Sequence, residues 1–186
     1  MNWRHHRSHY SGFAPYVSKA EKMRQAEKAI AVLMKKKGTT IEPIVVNGRA
    51  IAKTWWGKAW NKNLERYADY ANRLPRGRSY VRNGSVLDLR IAANSITALV
   101  SGSRPKPYEI AIKISPLDKK VEQALMEKSR TSLDSMQALL SGEFPAELKE
   151  SFIEKGTGLF PSPQEIELSC SCPDWAGLCK HLAAVL

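Results

Sequence analysis

In the middle of the chain, hydrophobic residues recur at every second position. Leu87, Leu89 and Ile91 alternate with Asp88 and Arg90, and Tyr108, Ile110, Ile112 and Ile114 alternate with Glu109, Ala111 and Lys113. A period of two gives a strand one buried face and one wet face, so residues 79–115 are predicted to form an antiparallel meander, with Asn83-Gly84 at one turn. Asn47-Gly48, between two β-branched runs, predicts a further hairpin. Elsewhere the period is helical. Ser18 and Glu21 form a capping box for a helix over 18–37, with Met23, Ala26, Ile30 and Leu33 as its apolar stripe. Lys35, Lys36 and Lys37 suit the C-terminal end of the helix dipole, and Gly38 suits the position just beyond it. Thr54 is the expected N-cap of a second helix through TWWGKAWNKNLERYADYANRL. Its core face carries Trp56, Trp60, Leu64, Tyr67, Ala71 and Leu74, which leaves Trp55 off the stripe and open to stacking on a base. Residues 118–155 are predicted helical. One stripe holds Leu117, Val121, Leu125 and Met126, and another holds Leu133, Met136, Leu139 and Leu140. Gly142 and Pro145 interrupt the run, a short helix follows at about 146–154, and the PSP at 161–163 is a linker.

This pattern predicts an α+β fold, a small antiparallel β-meander flanked by helices. Three parts are expected: a basic N-terminal arm and helix over 1–40, an α+β body over 41–160, and a C-terminal cysteine module over 161–186.

Charge changes the picture. The net charge is +11, and it is uneven. Residues 1–110 hold 21 Lys and Arg against 7 Asp and Glu, whereas residues 111–186 hold 8 against 11. The front of the chain therefore suits a polyanion, and nucleic acid is the commonest inside a cell. Two segments concentrate the charge. RLPRGRSYVRNG places Arg73, Arg76, Arg78 and Arg82 around Pro75, Gly77 and Tyr80, and is predicted to be a phosphate-contacting loop. SGSRPKP is a rigid turn with Arg104 and Lys106. These six residues are the candidate nucleic-acid contacts. Arg4, Arg7, His5, His6 and His9 lie in the expected arm, where a solvated tail accounts for them better than a three-histidine metal site. No run approaches the ~20 apolar residues of a membrane span. The basic start has no apolar segment behind it, so a secretory signal is not expected and a cytoplasmic location is.

The densest chemistry is CSCPDWAGLCKHLAAVL at 170–186. It contains all three cysteines of the chain, as Cys170-x-Cys172, six residues, then Cys179-x-His181. Three thiolates and one imidazole are the four ligands of a structural zinc. Positions i and i+2 of a strand point the same way, so one strand can offer both first sulfurs to one ion. A helix is expected to begin at LAAVL. A disulfide framework does not fit an odd, clustered set, and a redox pair would read Cys-x-x-Cys. His181 as base for a cysteine nucleophile would leave two thiols without a role. An iron–sulfur cluster accepts the same ligand types and is the remaining alternative. Lys180, between the last two ligands, is expected to offset the net charge of −1 that three thiolates leave on zinc.

Cys-x-Cys, a gap and Cys-x-His resembles the SWIM zinc finger, known from bacterial proteins associated with SNF2-type helicases and from some plant transposases. KTWWGKAW at 53–60, RLPRGRSYVRNGSVLDL at 73–89, GSRPKPYEI at 102–110 and CSCPDW with CKHLAAV are similar to the bacterial members, so the likeness extends over about 44–186. The resemblance implies Zn2+ held by Cys170, Cys172, Cys179 and His181, and a role in DNA or protein interaction. It also implies a fragment, since the chain stops at Leu186 inside the helix that follows the finger.

The expected function is therefore that of a non-enzymatic, zinc-binding protein that contacts nucleic acid, DNA first. The alternative is an adaptor that docks a protein partner such as a SNF2-type helicase through the finger and the acidic helices. No triad, phosphate-cradling loop or carboxylate pair suggests an enzyme.

Overall fold

A computed structural model describes residues 17–37, 41–48, 50–131 and 146–186. The arm with its three histidines, Gly38, and the stripe from Leu133 to Leu140 with Gly142 and Pro145 lie outside the described residues.

Four antiparallel strands form one sheet in the order β1-β2-β3-β4: β1 Val86–Ala92, β2 Ser95–Val100, β3 Tyr108–Ile114 and β4 Ile166–Cys170. The first three are the expected meander, except that it begins at Val86 and not at 79, because residues 79–82 end a helix. Its buried face is strongest on β3, where Tyr108, Ile110 and Ile112 are buried and Glu109, Ala111 and Lys113 are not. On β1 the pattern fades. Leu87 is fully buried, but a register shift between Val86 and Asp88 interrupts the ladder, and Ile91 is 75% exposed where the outer end of the hairpin passes beyond the core. Asn94, at φ 58°, makes the tight turn into β2. The fourth strand belongs to the cysteine segment. It pairs Ile110 with Cys170 and Ile114 with Ile166, so the sheet and the metal module share a strand.

The helices are α1 Lys19–Lys37, α2 Trp55–Glu65, α3 Ala68–Ala71, α4 Leu74–Arg82, α5 Lys119–Thr131, α6 Ala146–Ile153 and α7 Leu182–Val185. Both expected caps are present: Ser18 Oγ accepts from the Glu21 N–H at 3.2 Å and Thr54 Oγ1 from the Gly57 N–H at 3.2 Å. The expected linker at 161–163 leads into a short 3-10 turn, Pro163–Glu165, whose Glu165 carboxylate accepts from the Ser162 N–H at 2.8 Å and hydroxyl at 2.7 Å.

Four expectations are corrected. The long helix after Thr54 breaks at Arg66 and Tyr67 into α2 and α3. Within α2 the two adjacent tryptophans exchange roles: Trp56 is 58% exposed, whereas Trp55 is half-buried with the Lys149 ammonium over its ring, 5.9 Å from the centroid. Trp55 is therefore no open stacking platform. Among the described residues Asn47-Gly48 makes no hairpin. Residues 41–47 carry no regular structure, and the segment docks on β1 through the Ile44 N–H to Val86 O at 3.1 Å and the Glu42 N–H to Asp88 Oδ1 at 3.0 Å. Finally, the arginine-rich loop is the helix α4. Pro75 falls in the first turn, where its missing N–H costs nothing, and Leu74, Gly77 and Val81 bury one face at helical spacing.

The core gathers Leu64, Leu74, Val81, Val86, Val100, Ile110 and Ile112 with Leu178, Cys179, Leu182 and Ala183 of the C-terminal module. Helix α4 lies directly on α7. A β-carbon placed on Gly77 would fall 2.2 Å from the Ala183 carbonyl oxygen, so this crossing requires glycine. At the end of α7 the Trp60 indole N–H donates to Leu186 O at 2.6 Å, and the Trp60 ring meets Phe160 edge-on at 5.5 Å.

Candidate metal centre

Cys170 ends β4 and is set by its pairing with Ile110. The ladder continues one residue beyond the strand. The Ser171 N–H donates to Glu109 O at 3.1 Å, and Ser171 Oγ accepts from the Glu109 N–H at 2.9 Å. Cys172 then projects on the side of Cys170, as a strand periodicity of two requires. Six residues later the chain returns, with Cys179 buried and His181 at the N-cap of α7. The Leu182 N–H, from the first turn of α7, donates to Cys179 Sγ at 3.4 Å, a contact that favours a thiolate there.

The four ligand atoms lie within 4.8 Å of one another. His181 Nδ1 is 3.8 Å from Cys179 Sγ and 4.0 Å from Cys170 Sγ. Tetrahedral zinc, with bonds of about 2.3 Å to sulfur and 2.0–2.1 Å to nitrogen, separates its ligands by about 3.5–3.8 Å. The two histidine–sulfur distances need to shorten by only a few tenths of an ångström and the widest separation by about 1 Å, and Nδ1 is the nitrogen that faces the sulfurs.

The electrostatics agree. Burial raises both the Cys179 and the Cys170 thiols above their ordinary range; Cys172 and Cys179 add to the rise at Cys170, whereas at Cys179 the Leu182 N–H opposes it. Burial, seconded by the charge of Lys180, lowers His181 to about 4. The imidazole is thus neutral and ready to ligate. A divalent cation bound by these sulfurs would displace their protons and supply the charge that favours the thiolates. Four protein ligands with soft sulfur and one imidazole suit zinc in a closed, structural site, so the residues present fit the ion.

The packing around His181 was not legible as part of the site. Its ring lies 4.4 Å from the Tyr108 ring and meets Tyr80 edge-on at 5.3 Å. Its Nε2 is buried and has no hydrogen-bond partner among the described residues. A β-carbon on Gly102 would fall 2.2 Å from Tyr108 Cε2 and 3.1 Å from that Nε2, so glycine there lets the two rings close. Lys180 places its ammonium 5.5 Å from the Tyr80 ring centroid, a cation–π contact.

The six candidate nucleic-acid residues occupy two places. Arg73, Arg76, Arg78 and Arg82 are on or at the start of α4, and Arg104 and Lys106 are in the β2–β3 loop. Arg73 pairs with Asp174 of the zinc loop at 3.6 Å, Arg78 pairs closely with Glu65, and Lys106 pairs with Glu109 at 3.3 Å. Arg76, Arg82 and Arg104 are exposed.

Comparison with known proteins decides the module. Residues 152–186 match the family described as SWIM zinc finger. This segment is a SWIM zinc finger. The match starts inside α6, so the finger includes the 3-10 turn and β4 as well as the ligand loop and α7. The protein named "Uncharacterized protein Rv2102" of Mycobacterium tuberculosis is 45% identical over 140 residues, which is 73% of this chain and 49% of that relative. The chain thus spans about half the length of that relative. No solved structure matches the chain. No helix among the described residues is long and apolar enough to cross a membrane.

Proposed function

We propose that this chain is a non-enzymatic nucleic-acid-binding protein, with DNA the first polymer to test, whose binding surface is rigidified by the zinc finger. One observation carries the reading: arginine-bearing α4 is seated on finger helix α7 through the Gly77–Ala183 contact. Zinc fixes α7, α7 fixes α4, and α4 presents Arg73, Arg76 and Arg82. The charge asymmetry of the chain and the loop cations Arg104 and Lys106 support the same reading. The test is fluorescence anisotropy with labelled DNA across a salt series. Replacing Arg76, Arg104 and Lys106 by Ala should weaken binding and lower the salt slope by about 0.9 for each duplex phosphate no longer neutralised. An unchanged slope removes these residues from the interface.

A second reading rests on a different observation. Leu117, Leu125, Met126, Phe152 and Leu159 line an apolar groove of about 310 Å³ between α5 and α6. Such a groove suits a protein partner, for which a SNF2-type helicase is the candidate. Retention of that partner in high salt, abolished by Met126→Asp, favours the adaptor.

A further inference from the structure

Trp175 stands in the loop between Cys172 and Cys179 and is 100% exposed. Its position is held rather than loose. The Ala176 N–H donates to Asp174 Oδ1 at 3.2 Å, an Asx turn that puts Trp175 at its apex. The same Asp174 carboxylate pairs with Arg73 at 3.6 Å, which ties the apex to the start of α4. The two ends of the loop are metal ligands. A short loop is thus pinned at its base by the zinc site and at its tip by Asp174, and it carries a bare indole outward.

Cations run beside it. Arg73, Arg76 and Tyr80 recur at i, i+3 and i+7, so they share one strip of α4, about 10 Å long. At one end Arg73 contacts Asp174, and at the other Tyr80 lies beneath Lys180. The strip therefore follows the flank of the zinc module, with Arg76 exposed between its ends. Arg73 also forms part of the wall of a cleft of about 630 Å³ that runs from α3 to Ala176 and Leu178 of the zinc loop. The Arg73 guanidinium is partly exposed, and a fork of several N–H donors can meet a phosphate while it still holds Asp174.

An exposed aromatic at the end of a row of cations matches the chemistry of a nucleotide chain in which the base is free to stack. In a duplex the base faces are hidden by their neighbours, and in a single strand they are open. We propose that the zinc loop reads single-stranded nucleic acid: an unpaired base stacks on Trp175 while neighbouring phosphates lie along Arg73, Arg76 and Lys180. This rests on the nucleic-acid reading above and narrows it to strand state.

The test compares zinc-loaded wild type, Trp175→Ala and Trp175→Phe by anisotropy, with a labelled oligothymidine and with a duplex of similar length. Trp175→Ala should weaken single-strand binding about ten-fold or more, Trp175→Phe should recover most of it, and duplex affinity should stay within about two-fold. Single-strand binding should also quench tryptophan emission in wild type more than in Trp175→Phe. The side chain is fully exposed, so both variants should fold, and a metal content of one zinc per chain verifies it. Wild-type binding that Trp175→Ala leaves within about two-fold, or loses equally for duplex, overturns the single-strand proposal alone. Wild type that retains neither polymer at low salt overturns the nucleic-acid reading and this inference with it.

Discussion

The backbone of Ala183 occupies the space that a side chain on Gly77 would need. Through this contact the basic helix α4 and the finger helix α7 act as one body. Gly77→Val should therefore destabilise the fold by about 1–3 kcal/mol or more, because neither backbone can yield without moving its helix. Chemical denaturation should show a lower midpoint, and nucleic-acid affinity should fall although no cation has been removed. A variant as stable as wild type would mean that the helices separate without cost.

Removing the metal should unmake the C-terminal module. One zinc per chain is expected by elemental analysis, and a strong chelator or Cys172→Ser should release it. Cys179 and Leu182 are core residues, so the disruption should spread beyond the loop to β4 and α7. Hydrogen exchange should show Ile166–Cys170 unprotected in the stripped protein. Iron with a visible chromophore would identify a cluster in place of zinc.

Gly102→Ala should loosen the histidine. The added methyl collides with the Tyr108 ring, which is packed on His181. Zinc should leave this variant faster in a chelator competition, with an expected change in affinity of about ten-fold. Wild-type retention would show that the ring stack does not position the ligand.

Acid sensitivity separates one cap from the metal. Two hydrogen bonds from Ser162, the backbone one the stronger influence, hold Glu165 below its ordinary value of 4.5. A carboxylate depressed in the folded state contributes stability above its unfolded pKa, and the contribution disappears as pH falls through the folded value. The stability gap between wild type and Glu165→Gln should therefore be present at pH 7 and close below about pH 4.5. A gap that persists at pH 3 would attribute it to something other than charge.

Much of this arrangement was legible in residue order. The alternation from Tyr108 to Ile114 fixed β3 because both faces of that strand behave as a half-buried strand should, and the spacing from Cys170 to His181 marked four ligands that the fold does bring together. What failed was local chemistry whose purpose is remote. Pro75 and Gly77 signal a loop when read alone. In the fold, proline opens a helix, and glycine admits a partner more than a hundred positions away. Trp55 and Trp56 differ by one step of 100° on α2, and what covers one of them, Lys149, comes from α6, which no periodicity on α2 could reveal. Asp174 and Trp175 lie in the motif that carries the family likeness, yet only the bond to Ala176 and the pair with Arg73 show that the tip is held.

The pairing of β4 with β3 has a consequence for how the molecule comes into being. Residue 110 meets residue 170, so the first three strands emerge during synthesis long before the strand that completes them. Until then β3 has an open edge, and closing the intervening loop costs entropy that no local contact repays. The ion binds only where that closure has brought the strand end and the start of α7 together. Metal capture thus follows the closing of the sheet, and chains of this sequence refolded without zinc should leave the β3 edge unpaired.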